Sequence, residues 1–219
     1  MTGPDGVSIT PAEVEALFTR SDGSYFFARW GRPIVPVVFG VDDTTLPVIK
    51  GAVEAVVALA GHQLSETDPE MGANLMMFFF REWDELLAVP DLVQLVEGLG
   101  PMVAGLKARG ANQYRHFRFD ADGSIRAAFV FVRMDAALAD LPAADLALVQ
   151  AVQVIVLWSD RAFARCSPVA RAGGAGDEAG GVMVLRPELA ALIRAGYDPV
   201  MPAVARDASH ALRLAARIG

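Results

Sequence analysis

The sequence predicts an α+β domain, α/β-like in its order, with one mixed sheet of four to five strands packed by helices. Three observations predict it. Extended, β-rich runs alternate with runs of helical periodicity. The run Asn74-Leu-Met-Met-Phe-Phe-Phe80 is apolar without a break and is bounded by turn residues, as in a central strand buried on both faces. Asp120-Ala-Asp-Gly123 separates two strand-like segments, which is a hairpin signal.

The elements follow in order. Thr10 can cap a first helix, with Pro11 suited to its first position and Glu13 able to complete a capping box. Residues 1–24 are read as this helix and its lead-in. Tyr25–Trp30 and Pro33–Phe39 read as strands. Leu46–Ala60 is a helix with Val48, Ala52, Val53, Val56, Val57 and Ala60 as its buried stripe, and Gly61 stops it. After the central strand, Glu82–Leu87 starts a short helix and Asp91 caps another, which Gly98, Gly100 and Pro101 interrupt. Asn112–Phe119 and Ser124–Met134 form the hairpin. Pro142–Phe163 is then a central helix, apolar nearly all round. The Gly/Ala-rich stretch 164–181 reads as a flexible loop, and Val182–Leu185 as a brief extended segment. Pro187–Ala195 is a helix stopped by Gly196, and Pro202–Ile218 a closing amphipathic helix. No repeat or long linker divides the chain, so residues 1–219 are expected to form a single domain.

Composition narrows the function classes. The chain is 53% hydrophobic, which is too apolar for disorder. Its net charge of −7 repels phosphate backbones and anionic lipid, so neither nucleic acid nor membrane is an expected partner. No signal-peptide pattern is visible at Met1–Gly6, and one cysteine, Cys166, allows no internal disulfide. Both observations fit a cytoplasmic protein.

No strong catalytic motif is present. There is no His-Glu-x-x-His, no Gly-x-Ser-x-Gly and no Gly-Lys-Ser/Thr phosphate loop. The glycines at 173, 174, 176, 180 and 181 surround Asp177 and Glu178, whose charge disfavours a phosphate cradle. His62 reads as a solvated residue past a helix end, with Glu66 and Asp68 near in sequence. His210 reads as a surface or packing residue. Cys166 has Arg161 and Arg165 nearby but no neighbouring base, so it reads as an incidental thiol. On Asn112–Phe119, strand alternation puts Tyr114, His116 and Arg118 on one face and Arg115, Phe117 and Phe119 on the other. Gln150 and Gln153, three apart on the central helix, point to one side. Gln150, Gln153, His116 and Tyr114 are therefore the candidate ligand-binding residues. No catalytic residue, metal ligand or cofactor is expected.

Four stretches carry a resemblance. Phe27-Ala-Arg-Trp-Gly-Arg-Pro-Ile34 is similar to an entry strand, and Gly72–Phe80 with Glu82-Trp83 to a central strand and following helix. The helix ending Gln153-Val-Ile-Val-Leu-Trp-Ser-Asp160 is similar to a core helix. Leu189–Leu192, Gly196-Tyr-Asp-Pro199 and the final helix are similar to a C-terminal end. Together they resemble a poorly characterised bacterial family with a zincin-like, metallopeptidase-related fold. Where the core helix of that family carries a glutamate-rich motif, this chain has Val149, Gln150 and Gln153. Amides are poor zinc ligands and take no proton at neutral pH. The resemblance thus implies a degenerate, hydrolase-like scaffold, with no catalysis and with binding of a protein or small ligand as its role. The alternatives are an active hydrolase with an unrecognised site, using His62, Glu66 or Cys166, and a subunit of a larger assembly.

Overall fold

The structure is a computed structural model that describes residues 9–70, 72–172 and 181–218. Helix α1 (Pro11–Phe18) begins as its sequence suggests. Thr10 Oγ1 accepts from Glu13 N at 3.2 Å, and Glu13 Oε2 accepts from Thr10 N at 2.7 Å. Val14 and Phe18 are its buried face.

The main sheet has four strands, β2 (Pro36–Phe39), β3 (Leu75–Phe80), β4 (Gln113–Phe119) and β5 (Ile125–Arg133), in the order β2-β3-β5-β4. β2, β3 and β5 are mutually parallel, and β4 lies antiparallel to β5 at the edge. Side chains alternate across a strand, so each apolar run feeds two cores. Met77 and Val130 belong to one core, shared with α2 (Thr45–Leu59), α6 (Ala143–Ile155), α7 (Pro187–Tyr197) and α8 (Ser209–Ala215). Phe78, Phe129 and Phe131 belong to the other. That second core is covered by a 3-10 helix (Trp83–Ala88), α3 (Leu92–Leu95) and α4 (Leu99–Ala108). Gly98, with φ of 70°, stands between α3 and α4, so the predicted break is present. A short helix, α5 (Ala136–Ala139), leads from β5 toward α6.

Several expected boundaries move, each for a tertiary reason. Of Tyr25–Trp30, only β1 (Phe27–Ala28) forms a ladder, with β8 (Val204–Ala205). Tyr25, Arg29 and Trp30 make single bridges to three different partners. The strand expected at Pro33–Phe39 begins at Pro36. Val48 is exposed, and Ile49 takes the buried position in its place. The central helix ends at Ile155 instead of Phe163. Its last carbonyls are taken by side chains from elsewhere. Trp158 Nε1 donates to Val152 O, Trp30 Nε1 to Val154 O, and Tyr197 Oη to Ile155 O, at 2.8, 2.8 and 2.7 Å. Leu157 N then donates to Ala28 O, so the chain continues extended.

The closing helix starts at Ser209 rather than Pro202. Val204–Ala205 is drawn into pairing with β1, and Asp207 Oδ1 accepts from Ser209 N at 2.8 Å. Within the stretch expected to be a flexible loop, Val169–Ala172 forms strand β6 and pairs with β7 (Val182–Leu185). Residues 173–180 lie outside the described residues. Among the described residues, no helix is long and apolar enough to cross a membrane.

Candidate functional site

A cleft of about 620 Å³ opens between edge strand β4, the segment that follows α6, and the turn after α1. β4 places Gln113, Arg115 and Phe117 in it from alternate positions. Helix α6 adds Gln153, and the extended chain beyond it adds Leu157, Trp158 and Asp160. The α1–β1 turn brings Arg20 and Asp22 to the mouth.

Arg115 dominates the inner end. Its Nη2 donates to Gln150 Oε1 at 2.7 Å and to Gln113 Oε1 at 2.9 Å. Gln150 Nε2 donates to the same Gln113 oxygen at 2.9 Å, which closes a neutral knot between α6 and β4. The residue keeps some surface in the cleft, yet its Nε is sealed from solvent and has no hydrogen-bond partner among the described residues. Burial pushes the guanidinium down to about 10, so it remains charged at neutral pH. Arg115 forms no ion pair among the described residues. Arg32 shows the contrast. That guanidinium meets Asp120 at 2.8 Å, Asp68 at 3.5 Å and Glu70 at 3.6 Å.

A second unsatisfied group belongs to the same cleft. The Gln153 side-chain oxygen is buried with no hydrogen-bond partner among the described residues. The apolar wall is aromatic. Trp158 stacks on Phe18 at 5.3 Å and meets Phe163 edge-on at 5.1 Å. The rim carboxylates are engaged locally. Asp22 Oδ1 accepts from Ser24 Oγ at 2.6 Å, and Asp160 Oδ1 accepts from Ser21 N at 2.9 Å. These hydrogen bonds hold both carboxyls below the usual carboxylate range.

Of the four residues singled out from sequence, Gln153 lines the cleft, and Tyr114 borders it but packs against the second core. Gln150 is fully buried beneath it and holds Arg115. His116 lies on the other side of β4, its ring 6.1 Å from that of Phe129 in the second core, and takes no part in the cleft. Burial and, next, Arg118 lower its pKa. Arg115 is the residue that sequence reasoning missed. Alternation put it on the same β4 face as Phe117, but nothing in that pattern set it apart from a solvated arginine.

The other candidates lie elsewhere. His62 is half-buried rather than solvated. Its Nε2 lies 2.8 Å from Arg32 O and its ring 5.1 Å from that of Tyr197. Cys166 is exposed. His210 is buried, its Nδ1 2.9 Å from the Tyr25 hydroxyl.

The zinc that a zincin-like fold implies does not fit these residues. The α6 positions offer a valine and two amides, one already bound to Arg115. Among the described residues, no group of three or more His, Cys, Asp or Glu could hold a metal ion. In comparisons with protein families, curated proteins and solved structures, none matches this chain.

Proposed function

We propose that this chain is a non-catalytic binding domain for a small organic anion, held in the cleft between β4 and α6. The observation that carries the reading is Arg115, a partly buried cation whose protein partners are two neutral amides. Removing a charge from water costs several kcal/mol unless an opposite charge compensates it. Arg29, which also lacks an ion pair among the described residues, lies over the Tyr197 ring and reaches Met201 O, whereas Arg32 meets that requirement with carboxylates. A ligand carboxylate would do the same for Arg115, through a charge-assisted hydrogen bond. Pockets of several hundred Å³ lined by aromatic groups and a few convergent polar ones suit small ligands.

The degenerate zincin-like scaffold is part of the same proposal. Gln150 and Gln153 stand where that family's core helix carries carboxylates, and both now serve the cleft, one under Arg115 and one on its wall. Groups that can neither ligate zinc well nor take a proton favour binding over hydrolysis. A cytoplasmic location in a bacterium completes the reading, and the single cysteine supports it.

The test is a thermal-shift series on the purified chain with millimolar acetate, benzoate, phenylacetate and succinate. At least one should raise Tm with a saturating concentration dependence, and Arg115→Met should abolish that shift. A flat response to all four would overturn the reading.

A further inference from the structure

The cleft has more structure than an anion hole, and its charges and walls narrow the class of ligand. Inside there is one uncompensated positive charge, that of Arg115. At the mouth stand two exposed carboxylates, Asp22 and Asp160, on the turn after α1 and the segment after α6. Arg20 is also at the mouth, with its guanidinium 4.7 Å from the Phe26 ring centroid. Between mouth and inner end the wall is Phe117, Leu157, Trp158 and Phe163. The indole N–H of Trp158 is already spent on Val152 O, so this wall offers carbon surface rather than hydrogen bonds.

We propose that the ligand is an aromatic monocarboxylate, with its carboxylate on Arg115 and its ring against Trp158, Phe163 and Phe117. The inference rests on the anion-binding reading above and adds two selections to it. The first is charge. A single negative charge neutralises the buried guanidinium. A dianion brings a surplus charge toward a mouth where the carboxylates of Asp22 and Asp160 outnumber the guanidinium of Arg20, so it is disfavoured. The second is the ring. Acetate satisfies Arg115 but leaves the aromatic wall in water, whereas a phenyl group buries against it. Gln153, whose side-chain oxygen lacks a partner, adds a place for a hydroxyl or amine on the ring or its side chain.

The experiment is isothermal titration of the intact chain at pH 8 with three probes: phenylacetate, acetate and phenyl phosphate, the last a dianion at that pH. Phenylacetate is expected to bind, with acetate and phenyl phosphate each at least tenfold weaker. Asp160→Asn should narrow the gap between phenylacetate and phenyl phosphate. Arg115→Met should lose phenylacetate while its circular dichroism and melting profile remain those of a folded protein.

The failures separate. If phenyl phosphate binds as tightly as phenylacetate, the charge selection is wrong and the anion site stands. If acetate matches phenylacetate, the aromatic wall plays no part and the ligand class is overturned. If none of the three binds, the inference is overturned, and the four-acid thermal-shift series decides the underlying reading by itself.

Discussion

His210 is the clearest titrating residue in the core. It packs against Tyr25 and Phe27, its Nε2 has no partner, and burial pushes its pKa down to about 4 from 6.5. Burial also raises the pKa of Tyr25, so the hydroxyl stays protonated and shares a hydrogen bond with Nδ1 of a neutral ring. The folded pKa is depressed, so the unfolded chain takes up the proton first as pH falls. Above about pH 6.5 the ring is neutral in both states and stability is full. Between about 6.5 and 4 stability falls, by on the order of 3 kcal/mol from this group at the most. His62 and His116 are shifted in the same direction by burial and add to the slope. Urea unfolding from pH 8 to pH 4 should show this loss, and His210→Leu should flatten much of it whatever its effect at pH 8. An unchanged slope in the variant would contradict the assignment.

Residue scale is also where the sequence was least legible. Gln150, Gln153 and Tyr114 could be picked out because polar residues on an apolar helix or an aromatic strand stand out. Arg115 could not, because an arginine on an edge strand is ordinarily solvated. Its importance depends on which side chains α6 brings opposite it and on the carboxylates that are missing there, and a one-dimensional pattern carries neither.

At the scale of elements, local signals served well where the stop is local. The Thr10–Glu13 box, the glycine after α2, the break at Gly98 and the 120–123 turn are all where residue chemistry puts them. They failed where the stop is tertiary. α6 ends because Trp30, Trp158 and Tyr197 reach its final carbonyls from separate parts of the chain. Two glycines test the local account. Gly40 follows β2 with φ of +80°, and a Cβ there would sit 1.9 Å from the Phe79 carbonyl oxygen. Gly51 lies mid-α2 with open space around it. Gly40→Ala should destabilise the fold by more than about 2 kcal/mol, whereas Gly51→Ala should stabilise it by roughly 0.5–1 kcal/mol. Chemical denaturation of the two variants checks both signs.

On the scale of the whole molecule, strands β3 and β5 are covered on both faces and serve two cores at once. The two edge strands, β2 and β4, are half-buried along most of their length, and the cleft opens beside β4. β4 thus presents Arg115 from within the sheet, while the turn after α1 and the segment after α6 form the mouth. The alternation of strands and helices was readable from sequence because each run is long and strongly patterned. The cleft was not, because it forms between segments more than a hundred residues apart, such as Asp22 and Asp160.

If Arg115 is kept for a ligand rather than for the fold, then without ligand it is a cost. Arg115→Met removes a desolvated charge and keeps most of the volume. A bound ligand stabilises the whole fold by mass action, about 2.7 kcal/mol at a hundred times Kd. The direct measurement is thermal unfolding of the parent chain and Arg115→Met, each with and without saturating phenylacetate. Losing the Arg115 charge offsets the buried Gln150 Oε1 left without its donor, so the variant alone should melt within roughly 4 °C of the parent, and only the parent should gain from ligand. A variant that melts well below the parent, with neither protein responding to phenylacetate, would contradict it and make Arg115 a structural pin between β4 and α6.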